Sequence, residues 1–182
     1  MARYEPFEEG VEARGRVIIA IESGLSRFRE EYRTRIRRVL SEKGIDDPGP
    51  DDWYAQGAEL EVLETIAEEL EPHLLDRLGE QIPDVARWPS GVSGVPDGLQ
   101  SIDDAYHRNH RGGEIGHYRF ERIEDGRGRV ECRNPYPCPF DRGLIRAVAK
   151  RYSPVESFVF VEERGDTCRR TGGDRCTYVV HW

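Results

Sequence analysis

Hydrophobic periodicity changes once along this chain, near Gly112-Gly113, and that change limits the architectures open to it. Upstream, apolar residues recur every three or four positions, the spacing of one helix face. Ile18, Ile21, Leu25, Phe28, Tyr32, Ile36 and Val39 follow this rule and predict a long amphipathic helix from about Gly10 to Lys43. Gly44 closes it, and Asp46-Asp47-Pro48-Gly49-Pro50 is a loop because proline and glycine cannot extend the hydrogen-bond ladder. A seam this regular serves either internal packing or a homodimer contact through the N-terminal helix. Asp51 or Asp52 caps a second helix carrying Leu60, Leu63, Ile66, Ala67 and Leu70. Pro72 suits the first turn of a third, with Leu74, Leu75 and Leu78 ahead of a stop at Gly79. The Pro- and Gly-rich run 83–98 reads as a loop with a covering or lining role. Ser101 with Asp104 opens a short helix through His107.

Downstream the texture is that of strands. His117 to Cys132 reads as a hairpin turning at Asp125-Gly126. Asp141 caps a helix with Leu144, Ile145, Val148, Ala149 and Tyr152 inward, and Ser157 to Trp182 reads as two strands joined around Gly172-Gly173. Helices followed by hairpins specify an α+β fold rather than alternating βαβ units. The expected arrangement is N-terminal helices packed on a small antiparallel sheet made of two C-terminal hairpins. Residues 1–50 supply the long helix and linker, and 51–182 the α+β domain.

At 182 residues the chain fits one self-sufficient core. No apolar run approaches a membrane span, and the charged N-terminus shows no signal peptide, so a cytoplasmic location is expected. A net charge of −8 argues against a general nucleic-acid surface. Lys43 and Lys150 are the only lysines among 27 basic residues, a bias that suits a halophilic cytoplasm and that high-GC codon usage also produces. The run Arg33 to Arg38 reads as a solvated helix face rather than a phosphate site, because Glu30 and Glu31 share the helix. No phosphate loop, nucleophile elbow or zinc-protease motif is present, and nothing in the sequence specifies an enzyme.

All four cysteines, Cys132, Cys138, Cys168 and Cys176, lie in the last third. Seven residues separate Cys168 from Cys176, and pairing about Gly172-Gly173 brings the two thiols near one another. Thiols so placed share a tetrahedral zinc ion or oxidise to a disulfide, which a reducing compartment disfavours. Cys138, held in Asn134-Pro135-Tyr136-Pro137-Cys138-Pro139, is a third ligand. Cys132 is the preferred fourth, since four thiolates make a closed structural zinc centre; Glu163 and Asp166 are the alternatives. A thiol/disulfide redox sensor is the rival reading. A second cluster runs from Tyr106 to Tyr118, where His107 and His110 share a helix face and could hold a metal or haem. Its plainer reading is a polar helix end, with Arg and His near the negative pole and two glycines as the cap.

Cys138 to Gly143, the apolar helix and strand that follow, and the C-x7-C pair ending in Thr177-Tyr178-Val179-Val180 resemble the 4-vinyl reductase domain. The resemblance covers roughly Ala58 to Trp182. That family is a small-molecule-binding module related in fold to transport-particle and haem nitric-oxide-binding proteins. The resemblance implies zinc on Cys138, Cys168 and Cys176 with a carboxylate shortly before the pair, where Glu163 and Asp166 are the nearest acids. It also implies a pocket for a small hydrophobic or aromatic ligand between helices and sheet. Trp88, Tyr106, Tyr118, Phe120, Tyr136 and Phe140 are candidates for its lining, with His107 and His110 beside them. Tyr118 to Arg122 resembles the Tyr-x-Ser-x-Arg haem-propionate motif, with phenylalanine in place of the serine. The implied function is a cytoplasmic ligand-binding or sensory domain with a structural zinc site, with a haem protein or reductase as the alternative.

Overall fold

The computed structural model describes residues 4–26 and 30–182. Its elements in chain order are β1 (Glu12–Arg14), α1 (Gly15–Ser26), α2 (Glu30–Glu42), β2 (Trp53–Ala55), α3 (Gln56–Glu69), α4 (His73–Val85), α5 (Gly94–Arg108), β3 (His110–Arg111), β4 (His117–Glu124), β5 (Arg127–Arg133), α6 (Cys138–Tyr152), β6 (Phe160–Glu163) and β7 (Cys176–His181). The two predicted hairpins lie side by side as one antiparallel sheet in the order β4-β5-β7-β6, and the helices cover one of its faces. This is the expected α+β architecture. Helix α6 is central, touching α4 and α5 on one side and β6 and β7 on the other. A second, three-stranded sheet β2-β1-β3, with no signal in the sequence, ties residues 12–14 to both 53–55 and 110–111.

The single helix predicted over 10–43 is corrected to a strand and two helices that fold back on one another. Arg37 Nε donates to Glu22 Oε1 across fifteen positions, and Arg33 reaches the same oxygen. A straight helix would hold those groups about 22 Å apart. Folding back buries both halves of the apolar stripe: Ile18 and Ile21 on α1, and Tyr32, Ile36 and Val39 on α2, all join the common core. These five described residues of the seam are thus buried within the chain. Phe28 and the side chain of Leu25 lie outside the described residues.

Three boundaries also differ. Helix α4 runs through Gly79 instead of stopping there, because that glycine serves close packing. A Cβ at Gly79 would lie 2.0 Å from the Phe140 carbonyl oxygen, and one at Gly143 would lie 1.9 Å from that of Asp76, so the backbones of α4 and α6 touch at paired glycines. The loop predicted over 83–98 shrinks to 86–93, since α5 starts at Gly94 with Pro96 in its first turn. Ser101 therefore lies within α5 rather than capping it; its Oγ donates to the Gly98 carbonyl and accepts from Trp88 Nε1 at 2.8 Å. Helix α6 begins at Cys138 behind Pro137, which moves Asp141 from the cap into a buried first turn.

Strand alternation sets what faces α6. Tyr118, Cys132 and Cys176 form one inward row across β4, β5 and β7, and Phe120, Val130, Tyr178 and Glu163 form the next, reaching β6. The outward face carries Arg–Glu pairs such as Arg129–Glu121 and Arg175–Glu131, a solvated surface. No helix among the described residues is long and apolar enough to cross a membrane.

Candidate ligand and metal sites

Three sulfur atoms meet where the N-terminus of α6 faces the β6–β7 end of the sheet. Cys138 Sγ lies 3.2 Å from Cys176 Sγ and 3.6 Å from Cys168 Sγ, and Cys168 and Cys176 are 3.6 Å apart. All are free thiols. A tetrahedral ion with bonds of about 2.3 Å sets its sulfurs about 3.8 Å apart, so these separations are near those of a shared cation. The fourth group is Glu163, whose ligand oxygen joins the three sulfurs within 4.8 Å. Its Oε1 is buried without a hydrogen-bond partner. Asp166 and Cys132 lie outside this group. Cys132 pairs with Cys176 across the ladder, but from β5, on the side of β7 away from β6.

The chain folds locally to make this possible. After Cys168 a 3-10 turn (Arg169–Thr171) and left-handed Gly172 return the chain toward β7, with Thr171 and Gly173 both donating to the Cys168 carbonyl. The turn also aims the Arg169 backbone N–H and guanidinium Nε at Cys176 Sγ, each at 3.4 Å. The hydrogen bond from Cys138 pulls the Cys176 thiol down to about 6, with the Arg169 charge acting in the same direction. Arg169, 2% exposed, extends further to the Asp141 carboxylate and the Asn134 carbonyl. Tyr118 donates to Asp141 Oδ1 at 2.5 Å, and Asn134 Nδ2 approaches both oxygens of that carboxylate.

The other face of Tyr118 lines a cavity of about 40 Å³ between α3, α4, α5 and α6. Of the residues predicted for a pocket, it brings together Trp88, Tyr106, His110, Tyr118, Tyr136 and Phe140. Tyr136 stacks on Phe140, and Tyr106 meets Tyr118 edge to face. His107 and Phe120 stand elsewhere, along an open surface groove, and the His107 ring is tied to the Asp103 carbonyl. The three histidines of the cluster do not converge: His110 lines the cavity, His107 is exposed, and His117 faces Glu131.

Glu59 is the cavity residue that sequence reasoning missed. In Ala58-Glu59-Leu60-Glu61 nothing separates it from its solvated neighbours, yet it is 1% exposed. One proton arrangement leaves the polar end of the cavity neutral. His110 Nδ1 lies 2.8 Å from the Tyr106 carbonyl, so it carries the proton and Nε2 is bare. Tyr136 donates its one hydroxyl proton to that Nε2 at 2.7 Å. In that arrangement its oxygen accepts from Gln56 Nε2 at 3.4 Å, and the 3.1 Å contact with Glu59 Oε2 closes through a protonated Glu59. The alternative is an imidazolium and a carboxylate across the phenol, and burial opposes both charges. It pushes the Glu59 carboxyl up to about 8 and the His110 imidazole down to about 4.

No family model matches the sequence, and no curated protein matches it. Solved structures do. The chain is similar to an H-NOX protein from S. oneidensis in the Fe(II)NO ligation state, with a TM-score of 0.64 at 14% identity over 92% of this chain and 98% of that one. It is likewise similar to the Fe(II) unliganded H-NOX protein from K. algicida, with a TM-score of 0.62 at 10% identity over 92% and 95%. At such identities the likeness is one of fold, and the chain has the H-NOX fold.

Proposed function

We propose that this H-NOX-fold chain is a cytoplasmic sensory domain that binds a small neutral molecule in the Glu59–His110–Tyr136 cavity, with a structural zinc ion holding the sheet to α6. The observation that carries the ligand reading is a buried polar end with an unpartnered oxygen inside otherwise largely apolar walls of aromatic and aliphatic side chains. Zinc is supported by the sulfur separations and by the unpartnered Glu163 oxygen. The set Cys138, Glu163, Cys168 and Cys176 is closed, so the ion would position β6, β7 and α6 and leave no open coordination site for chemistry.

Haem is the second reading, and it rests on the ferrous and nitrosyl states of the structural neighbours. The residues present do not fit it. A cavity of about 40 Å³ holds two or three water molecules, whereas drug-sized ligands occupy roughly 300–1,000 Å³. The one cavity-facing imidazole nitrogen is already bonded to Tyr136.

Two measurements test these readings together. Purified under reducing conditions, the protein is expected to hold one equivalent of zinc by elemental analysis. Titration with hemin is expected to give no saturable absorption band near 400 nm. Less than a tenth of an equivalent of zinc removes the metal reading, and a stoichiometric band on hemin addition replaces the small-ligand reading with haem.

A further inference from the structure

Every donor hydrogen on the cavity wall is already spent. The Tyr106 hydroxyl donates to the Ile115 carbonyl at 2.5 Å, and that of Tyr118 goes to Asp141. Both Asn109 amide hydrogens go to backbone carbonyls, of Arg87 and Ala105, and the Trp88 indole N–H goes to Ser101. His110 and Tyr136 use their protons as described, and behind them Gln56 Nε2 serves the hydroxyls of both Tyr136 and Tyr106. What remains unpaired is on the acceptor side alone: Oε1 of Glu59, which lines the cavity, and Oε1 of Gln56 beside it. Both oxygens are buried, and a buried acceptor left bare is costly.

Resting on the reading of this cavity as the ligand site, we infer that its polar end selects neutral compounds that present an N–H or O–H donor and rejects isosteres that present an acceptor. A donor satisfies Glu59 Oε1 and strengthens on leaving water for a low-dielectric site. An acceptor in the same place meets only other acceptors and loses its hydration without replacement. Carboxylates fall on the rejected side for the same reason, since no cation faces the cavity.

Pyrrole and furan are suitable probes, being small rings of similar shape that differ in N–H against ring oxygen. Their affinities for the zinc-loaded protein at pH 6.5 can be read from NMR shifts of the His110, Tyr106 and Tyr136 rings. Pyrrole is expected to bind about tenfold more tightly than furan, the factor that one paired against one unpaired buried group supports. In Glu59→Leu, shown to be folded by circular dichroism, the preference is expected to collapse to less than about threefold. Equal affinities, or a preference for furan, overturn the inference and leave the cavity as a ligand site. A pyrrole preference that survives in Glu59→Leu overturns the assignment to Glu59. Ring signals that move with neither probe overturn both the inference and the reading beneath it.

Discussion

Two buried polar networks flank Tyr118 and Tyr136, and they are built on opposite plans. One is charged: Arg169 spans Cys176, Asn134 and Asp141, and none of its side-chain polar atoms is left without a partner. The other is neutral: Gln56, Glu59, Tyr136 and His110 share protons along a line and keep two acceptors unpaired. A saturated network locks surrounding elements into one arrangement, whereas one short of donors leaves room for a molecule that supplies them. The contrast accords with the proposed division, fixing at the thiol end of the molecule and receiving at the cavity end.

The thiol end is expected to show the larger effects. Removing the proposed zinc with a chelator, or one of the converging thiols by Cys176→Ser, is expected to lower the thermal midpoint by roughly 10–20 °C, the consequence of losing several kcal/mol of binding energy coupled to folding. Differential scanning calorimetry checks this. A midpoint indifferent to chelator would mean that the sulfurs pack as ordinary buried thiols and would erase the contrast on that side.

The next effect separates charge from packing. Arg169→Ala leaves the Asp141 carboxylate buried without its partner and is expected to cost about 3–5 kcal/mol in urea unfolding. Arg169→Met combined with Asp141→Leu removes both charges and is expected to recover most of that loss while keeping zinc. A double variant as unstable as the single one would show that the hydrogen bonds to Asn134 and Cys176, rather than the ion pair, hold the region.

Legibility in the sequence follows the same division. The fixing end is local: C-x7-C about Gly172-Gly173 forces Cys168 and Cys176 together, and Cys138 sits one proline past a loop that aims it at them. Even there the fourth ligand depended on which side of β7 each candidate occupied, a matter of strand order that spacing does not encode. The receiving end draws Glu59, Tyr106, and Tyr136 with Phe140 from three separate segments. Its aromatic members showed as candidates because large rings are conspicuous. Glu59 did not, because a carboxyl inside a helix rich in glutamates looks solvated until tertiary packing covers it. The α1–α2 reversal was hidden for a related reason: the apolar stripe keeps its period through 18–39, and only burial of both halves requires the fold-back.

The smallest expected effect is the most specific to the neutral network, and it is read in the pH dependence of stability. Glu59 titrates near 8 in the folded chain against an ordinary value of 4.5, so the folded state holds an extra proton between those limits. The stability this lends is complete below pH 4.5 and is lost as pH rises to about 8. His110 has the opposite sign. Its folded value of about 4 against 6.5 means that the unfolded chain holds the extra proton, so stability rises with pH up to 6.5. Between pH 4.5 and 6.5 the two slopes cancel, and from 6.5 to 8 only the Glu59 slope remains, a loss of about 2 kcal/mol. Glu59→Gln cannot ionise, so its zinc-loaded form is expected to lack that loss, and the wild-type-minus-variant curve isolates it from every other titrating group. Superimposable curves over pH 6.5–8 would mean that Glu59 is already ionised in the folded state. The proton order along Glu59, Tyr136 and His110 would then run the other way, and the donor selectivity built on it would fall with it.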